Sequence, residues 1–333
     1  MSMVTVLDDY QGVALTSADW SAVLAAHAVG VITDHIADEA ALVRRLAQSD
    51  IVVAMRERTP FTAQTLAALP ALRLLVTTGM ANASIDLDAA ARQGVTVCGT
   101  AGSGNAMPEL TIGMMIALTR NFAQEDAAVR AGGWQHTIGP GLAGATLGVV
   151  GLGRLGVPVA KLAQALGMTV VAWSPNLTQA RAEPLGVRAV DRRELFSTAD
   201  VITVHMPLSD ASRGLIDADD LALMKPSAYL INTSRGPIVD EAALIEVLRA
   251  GRIAGAGLDV YDIEPLPVDH PLRSLRNTLL LPHIGYVTTD NYRTFYRHAV
   301  EDIVAFTAGT PIRVLSPANG ERREPTSQSD PRR

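Results

Sequence analysis

The fold of this 333-residue chain is decided by the stretch Ala145-Thr146-Leu147-Gly148-Val149-Val150-Gly151-Leu152-Gly153-Arg154-Leu155-Gly156. Its apolar first half is typical of a strand buried on both faces, and apolar residues recur at helical spacing after the last glycine. Gly151 permits a tight turn, Gly153 lets a pyrophosphate approach the backbone, and Gly156 lets the helix lie close to the strand. The stretch therefore predicts a phosphate-binding turn, with a plain strand-to-helix turn as the alternative.

The composition excludes several classes of protein. There are 28 Lys and Arg against 34 Asp and Glu, a formal net charge of −6, and no basic block before the last few residues. Nucleic acid is therefore not expected as a partner. The single cysteine, Cys98, excludes an intrachain disulfide and fits a reducing compartment. No secretory signal pattern opens the chain, and the apolar run from Leu110 to Leu118 is too short to span a bilayer, so we expect a cytoplasmic protein without membrane contact.

Strand and helix patterns alternate along the chain, as is typical of parallel sheets with helices on both faces. Since a single core seldom grows beyond about 250–300 residues, two domains are expected. We predict a substrate-binding domain over residues 1–100 and 288–315, a dinucleotide-binding domain over residues 101–287, and a mobile polar tail over residues 316–333. The expected fold class is α/β, with two doubly wound parallel-sheet domains, one flavodoxin-like and one of the Rossmann type, and a cleft between them.

Twelve short apolar runs are predicted to form the strands of the two sheets. They cover residues 4–7, 30–32, 51–55, 72–77, 95–98, 147–150, 169–173, 187–190, 201–205, 228–232, 256–259 and 278–281. One helical pattern runs unbroken from Leu110 through Ala131, with apolar residues on all its sides. Such a helix is either central to a domain or buried in a partner.

Polar side chains that can carry out chemistry follow several strands of the second domain. Arg235 can bind a carboxylate bidentately, and His283 can move a proton near neutral pH. A glutamate such as Glu264, if it bonds the other imidazole nitrogen, would fix the tautomer and favour the imidazolium. His205 follows another strand, close to Pro207, and is a candidate for the lining of the nucleotide pocket. No group of histidines and cysteines has metal-ligand spacing, so no metal is predicted.

Four motifs with these side chains follow one another along the chain. They are Gly151-Leu152-Gly153-Arg154-Leu155-Gly156, Asn232-Thr233-Ser234-Arg235-Gly236-Pro237-Ile238-Val239-Asp240, Gly257-Leu258-Asp259-Val260-Tyr261-Asp262-Ile263-Glu264-Pro265-Leu266-Pro267 and Leu281-Pro282-His283-Ile284-Gly285. With them, over about residues 1–315, the chain resembles the D-isomer-specific 2-hydroxyacid dehydrogenases, the family of phosphoglycerate, glyoxylate and D-lactate dehydrogenases. The resemblance implies an NAD(P)-dependent oxidoreductase that transfers a hydride between a nicotinamide cofactor and a small D-2-hydroxy acid or 2-keto acid.

The resemblance also implies a role for individual residues. Arg235 would bind the substrate carboxylate, Glu264 would orient and charge His283, and His283 would give its proton to the carbonyl oxygen as the hydride arrives. A homodimer through the region from Leu110 to Trp134 is expected as well. The remaining candidate contacts are Gly151, Gly153, Arg154, Leu155, Gly156, Ser174, His205, Pro207, Thr233 and Asp259 for the cofactor, with Asp259 at the nicotinamide amide, and Arg56, Gly79 and Met80 for the small anionic carboxylate substrate.

The sequence departs from the family pattern at Ser174. This residue stands 23 positions after Gly151, where NAD-dependent members usually place an acidic residue for the ribose 2′-hydroxyl. Without that carboxylate a 2′-phosphate is not repelled, and Arg154 or Arg181 offers a countercharge. Ser174 can equally serve NAD through a neutral hydrogen bond, so NAD and NADP both stay open.

Two other functions are compatible with the same motifs. One is a dinucleotide-sensing interaction protein of the same fold, similar to the transcriptional corepressors that resemble these enzymes. The other is a dehydrogenase for another small anion, similar to formate or phosphite dehydrogenases.

Overall fold

A computed structural model of the chain describes residues 2–102 and 104–316. These residues divide into two compact units, the first made of residues 2–102 and 289–316 and the second of residues 104–288. Of the predicted polar tail, residues 317–333 lie outside the described residues. Within the described part of the chain, no helix has the length and apolar character needed to cross a membrane.

The first unit is built on a parallel sheet of five strands. Its central strands carry unbroken buried apolar runs, as expected for a sheet that is covered on both faces. The order reverses between the first and third strands, which is the doubly wound, flavodoxin-like arrangement. The strands are β1 (Ser2–Val6), β2 (His27–Val31), β3 (Ile51–Ala54), β4 (Leu74–Thr77) and β5 (Thr96–Gly99), in the spatial order β2-β1-β3-β4-β5.

The second unit contains a parallel sheet of seven strands. These are β6 (Thr146–Val150), β7 (Thr169–Trp173), β8 (Arg188–Ala189), β9 (Val201–Val204), β10 (Tyr229–Asn232), β11 (Gly255–Leu258) and β12 (Thr278–Leu280), in the spatial order β12-β11-β10-β9-β6-β7-β8. Val149 and Val150 of β6 belong to separate apolar clusters, one on each face of the sheet. The order reverses between β6 and β9, where Rossmann folds bind dinucleotides at the carboxyl ends of the strands. The predicted fold class, α/β with two doubly wound parallel sheets, is confirmed.

The helices begin at the polar residues that the sequence offers as caps. Asp38, Thr62, Asp86, Asp191 and Asp240 each accept a hydrogen bond from a backbone N–H of the first turn that follows. In chain order the helices are α1 (Ser21–Ala26), α2 (Glu39–Leu46), α3 (Ala63–Ala67), α4 (Leu87–Arg92), α5 (Ala106–Thr119), α6 (Phe122–Arg130), α7 (Gly156–Ala165), α8 (Gln179–Ala182), α9 (Arg192–Thr198), α10 (Ala218–Leu223), α11 (Glu241–Arg249) and α12 (Thr289–Thr307).

The helical pattern from Leu110 through Ala131 does not form a single helix, so that prediction is wrong. α5 ends at Thr119 and α6 begins at Phe122, because Asn121 takes a left-handed conformation with φ of 53°. Asparagine is one of the few residues besides glycine that visits this region routinely. The apolar periodicity continues across the break and therefore hides it.

Candidate active site

The glycine turn joins β6 to α7 where the order of the second sheet reverses. Gly151 has φ of +99°, and a Cβ atom there would stand 2.8 Å from the backbone oxygen of His205. A Cβ atom on Gly156 would overlap the Gly151 oxygen, so only glycine lets α7 begin this close to the turn. A Cβ atom on Gly153 would meet no atom within 4 Å, so this side of the turn is open. These environments fit a bound dinucleotide, whose pyrophosphate would take the open side at Gly153.

The other predicted cofactor residues of the second unit lie in this turn or beyond the ends of strands. Because parallel strands end at a common edge of the sheet, the residues that follow them share the edge of the glycine turn. Arg154 and Leu155 are in the turn itself, Ser174 follows β7, His205 and Pro207 follow β9, Thr233 follows β10, and Asp259 follows β11.

The chain after β7 carries a positively charged side chain, Arg181 on α8. Nη1 of Arg181 donates a hydrogen bond to the backbone oxygen of Asn176, at 3.1 Å, and its side chain is exposed. Arg154 in the glycine turn is exposed as well. Within the described residues neither arginine forms an ion pair with a carboxylate. The chain after β7 therefore carries the hydroxyl of Ser174 and the guanidinium of Arg181. Many NAD-binding folds have an acidic residue at the end of this strand instead.

His205 is a buried polar side chain without a partner. It is 8% exposed, and neither ring nitrogen has a hydrogen bond in the described part of the chain. Burial lowers the pKa of His205 to about 4, so the imidazole is neutral near pH 7. A neutral imidazole can donate one hydrogen bond and accept another. The backbone of His205 lies against Gly151, so this residue borders the glycine turn.

Glu264 and His283 form a hydrogen-bonded pair. Oε2 of Glu264 lies 2.6 Å from Nδ1 of His283. Because a carboxylate only accepts, Nδ1 carries the proton, and Nε2 is left to exchange a proton with a substrate. The other oxygen of Glu264, Oε1, accepts a hydrogen bond of 2.9 Å from the backbone N–H of Tyr261. Both side chains remain partly exposed, so the pair is accessible from solvent.

Asp259 holds the segment that follows His283. Its Oδ1 and Oδ2 accept hydrogen bonds of 2.8 Å from the backbone N–H groups of Ile284 and Gly285. The carboxylate is buried, and burial raises the pKa of Asp259 to about 6 against the opposing effects of these bonds and of His283. Each oxygen keeps a further lone pair, so the contact with the nicotinamide amide stays a prediction.

Arg235 is carried by a tight turn after β10. The side chain of Asn232 fixes this turn, since its Nδ2 donates to the Arg235 oxygen at 2.9 Å and its Oδ1 accepts from the Ser234 N–H at 3.0 Å. Gly236 follows, and its Cβ position would overlap the backbone of Tyr261. The turn with Arg235 therefore packs against the turn with Glu264, within one unit.

Asn232 and Tyr261 have no predicted role, although both lie inside the four motifs. The signal for Asn232 was its place as the last residue of a strand before a turn, where an amide side chain commonly bonds the backbone. For Tyr261 the sequence held no such signal, because its hydroxyl bonds the backbone of Leu281, 20 residues away along the chain.

The predicted substrate residues of the first unit lie together beyond β3 and β4. The backbone N–H of Arg56 donates to Oγ1 of Thr78 at 2.9 Å, and the Cβ position of Gly79 would overlap the guanidinium of Arg56. Arg56 and Gly79 both have positive φ, of 52° and 116°, and Met80 is exposed. The structure thus brings the three together, while their contact with a substrate stays a prediction.

Comparison with known proteins identifies what the chain is similar to. The family described as "D-isomer specific 2-hydroxyacid dehydrogenase, NAD binding domain" matches residues 112–285. The chain is 38% identical over 276 residues to D-3-phosphoglycerate dehydrogenase of Archaeoglobus fulgidus, covering 82% of this chain and 52% of that protein. It is 36% identical over 250 residues to glyoxylate reductase of Thermococcus litoralis, covering 72% and 75%. It spans about half the length of the curated phosphoglycerate dehydrogenases that it matches.

Solved structures give the same result over nearly the whole chain. A phosphoglycerate oxidoreductase from Vibrio cholerae superposes with a TM-score of 0.88 at 37% identity, covering 93% of this chain and all of that one. A protein from Ralstonia solanacearum that is named as a D-3-phosphoglycerate dehydrogenase superposes with a TM-score of 0.89 at 34% identity, covering 95% of this chain and 97% of that one.

Proposed function

The chain belongs to the family of D-isomer-specific 2-hydroxyacid dehydrogenases, and on this premise we propose that it transfers a hydride between a nicotinamide dinucleotide and a small D-2-hydroxy acid or 2-keto acid. Family membership confirms the resemblance carried by the four motifs. The proposal rests above all on one observation, the 2.6 Å hydrogen bond between Glu264 and His283 in the unit that contains the glycine turn. The sensing protein and the formate-like or phosphite-like enzyme remain outcomes of the test below.

Three side chains of the second unit, His283, Glu264 and Arg235, have separate roles in the proposed reaction. In the direction of reduction, Nε2 of His283 gives a proton to the carbonyl oxygen of the substrate, and in oxidation it takes the proton of the hydroxyl group. Glu264 accepts the hydrogen bond from Nδ1–H of His283, which holds the ring in one orientation. Arg235 binds the substrate carboxylate through its guanidinium. A nicotinamide dinucleotide, when bound, would supply or accept the hydride.

A panel of small 2-keto acids tests this function, with oxidation of NADH and NADPH followed by absorbance. With the best substrate, His283→Ala and Arg235→Ala should each lower kcat/KM by about a thousandfold, while the affinity for the dinucleotide changes little. His136→Ala, an exposed histidine of the same unit, is the matched control and should keep full activity. Near-normal turnover in either variant contradicts its assigned role. Dinucleotide binding without turnover of any keto acid would favour the sensing function or another small anion as substrate.

We further propose that the enzyme accepts NADPH as well as NADH. Ser174 carries no charge that would repel a 2′-phosphate, and the guanidinium of Arg181 on α8 donates to the backbone oxygen of Asn176, two residues after Ser174. Arg181→Ala should therefore weaken the binding of NADPH more than that of NADH, measured by quenching of protein fluorescence. Lys161→Ala, which removes an exposed cation from α7, is the control and should affect neither. A preference of a hundredfold or more for NADH would contradict the proposal.

A homodimer is proposed through the region from Leu110 to Trp134. α5 is predominantly apolar, and the neighbouring Phe122, Val129 and Trp134 are exposed by half or more of their surface. Large exposed apolar side chains of this kind mark interaction surfaces. Light scattering should give a dimer, and Val129→Glu should shift it toward the monomer. A monomeric wild-type protein would contradict the proposal.

A further inference from the structure

Tyr261 connects the surroundings of Glu264 and His283. Its backbone N–H donates a hydrogen bond of 2.9 Å to Oε1 of Glu264. Its hydroxyl donates to the backbone oxygen of Leu281 at 2.9 Å, two residues before His283, and also lies 3.2 Å from the backbone oxygen of Leu258. One residue is thus hydrogen-bonded to the acid of the pair and to the chain segment that leads to the histidine.

The turn that carries Arg235, the third predicted catalytic residue, also packs against Tyr261. Gly236, which follows Arg235, lies directly against the carbonyl group of Tyr261, because its Cβ position would overlap that group. The tyrosine ring is buried in the apolar cluster on this face of the sheet. Burial raises the pKa of the Tyr261 hydroxyl well above its usual range, so the group stays a donor at any working pH.

The backbone of His283 is in a conformation that needs support. Its φ of 54° lies in the left-handed region, which costs a residue with a side chain of this size free energy. Such conformations persist where the surroundings determine them from more than one side. The Tyr261 hydroxyl holds Leu281 on the N-terminal side, and Asp259 holds Ile284 and Gly285 on the C-terminal side.

We propose that Tyr261 is a positioning residue of this active site, whose hydroxyl fixes the distance between Glu264 and His283 by tying their two chain segments together. The kinetic part of this inference rests on the proposed function, whereas the effect on the Glu264–His283 pair does not require any substrate. Phenylalanine at position 261 would fill the same space and keep the backbone N–H bond to Glu264. The hydroxyl is therefore the group that the inference concerns.

Removal of the hydroxyl leaves the two segments joined more loosely. The Leu281 N–H still donates to the Leu258 oxygen at 2.8 Å, but the Leu281 oxygen loses its tyrosine donor. The end of the segment can then move away from Glu264, so that the bond to Nδ1 of His283 is populated less. A ring that is held less often by the carboxylate is less often in the orientation that proton transfer requires.

The test compares Tyr261→Phe with Tyr229→Phe in the full-length protein. Tyr229 is a half-buried tyrosine of β10 in the same unit, and within the described residues its hydroxyl makes no hydrogen bond. The Glu264–His283 hydrogen bond is followed by NMR of the histidine ring, through the signal of the Nδ1 proton, with His283→Gln to assign that signal. In Tyr261→Phe the signal should move toward that of an imidazole in water or be lost through exchange with water, and in Tyr229→Phe it should not change.

Kinetics of the same variants give the second readout. In Tyr261→Phe, kcat for reduction should fall by about tenfold, with the KM for the dinucleotide unchanged. On a Glu264→Gln background, where no carboxylate is left to position, Tyr261→Phe should change neither the Nδ1 proton signal of His283 nor kcat further.

An equal fall of kcat in both backgrounds with an unchanged Nδ1 proton signal of His283 would overturn the inference and leave Tyr261 a merely structural role. A changed signal in a protein that turns over no keto acid would support the positioning role while the proposed function fails. Full turnover in His283→Ala or Arg235→Ala, with a changed signal in Tyr261→Phe, would likewise support the positioning role and contradict the proposed function.

Discussion

Gly236 packs on Tyr261 so closely that a Cβ atom at position 236 would overlap the tyrosine carbonyl and stand 2.6 Å from the N atom of Asp262. The obstacle is backbone rather than the end of a flexible side chain, so it cannot give way at little cost. The contact joins the turn that carries Arg235 to the turn that carries Glu264.

Gly236→Ala should therefore displace one of the two turns. We expect kcat/KM to fall by about a hundredfold or more, since misplacement by about 1 Å has effects of this size, while dinucleotide affinity stays within about threefold. Gly141→Ala is the control, because its Cβ would meet no atom within 4 Å and the loop is exposed. Steady-state kinetics and dinucleotide titration of both variants check this. Unchanged kcat/KM in Gly236→Ala would show that the two turns tolerate separation.

Two glycines of the turn after β6 should respond differently to alanine. A Cβ on Gly156 would overlap the Gly151 oxygen, so Gly156→Ala should lower the temperature of unfolding. A Cβ on Gly153 has free space, so Gly153→Ala should fold normally and bind NADH about tenfold more weakly, because the methyl group takes the place of the pyrophosphate. Thermal unfolding and fluorescence titration distinguish the two effects. Normal NADH binding in Gly153→Ala would argue against a pyrophosphate at that side of the turn.

The strands of this fold could be predicted because each is a short apolar run with polar residues at its ends. Every predicted strand is present, with ends shifted by at most three residues, and β2 begins earlier than expected because His27 and Ala28 pair with Ser2 and Met3. The glycine turn indicated a sheet of the Rossmann type, and in the structure the turn lies where the strand order of that sheet reverses. Local pattern was sufficient for these features.

Other features depend on contacts between segments that are distant in sequence. The packing of Gly236 on Tyr261 and the bond from Tyr261 to Leu281 leave no trace in periodicity or composition. The motifs indicated Arg235, Glu264 and His283 as site residues. The structure supplied the distance between Glu264 and His283. The break at Asn121 was missed for the opposite reason, because a single backbone conformation interrupts a pattern that continues on both sides.

The break between α5 and α6 gives a prediction about stability. Asn121 has φ of 53°, a conformation that glycine adopts freely and alanine adopts at a cost of about 1 kcal/mol. Asn121→Ala should lower the free energy of unfolding by about that amount, and Asn121→Gly should leave it within a few tenths of a kcal/mol. Urea unfolding compares the two variants. Equal stability of both would mean that the backbone at this position can return to the helical region.

Asp302 is a buried carboxyl group in α12. It is fully buried, its Oδ1 accepts a hydrogen bond of 3.0 Å from Nε of Arg313, and in the described part of the chain its Oδ2 has no partner. Burial raises the pKa of Asp302 to about 7, and Arg313 opposes this only in part. The folded chain therefore takes up a proton at Asp302 over a pH range in which the unfolded chain has already lost it.

The sign of the pH dependence follows from this difference. The pKa is higher in the folded state, so the stability that protonation contributes is fully present below about pH 4 and is lost as the pH rises to about 7. Asp302→Asn keeps the shape of the neutral side chain and cannot ionise. Relative to the wild type, the variant should therefore gain stability between these pH values, by up to about 4 kcal/mol at about 1.4 kcal/mol per pKa unit.

Urea unfolding at pH 4, 5.5 and 7 measures this gain, followed by the fluorescence of Trp20, the buried tryptophan of the same unit, in a background where Trp134 and Trp173 are replaced by phenylalanine. Asp290→Asn, on the same helix but exposed, is the control and should show no relative change with pH. A constant difference between Asp302→Asn and the wild type at all three pH values would mean that Arg313 keeps the carboxyl group ionised throughout, so that its pKa is not raised. A difference in the free energy of unfolding between Asp302→Asn and the wild type that grows with pH, without such a change in Asp290→Asn, would assign the titration to Asp302.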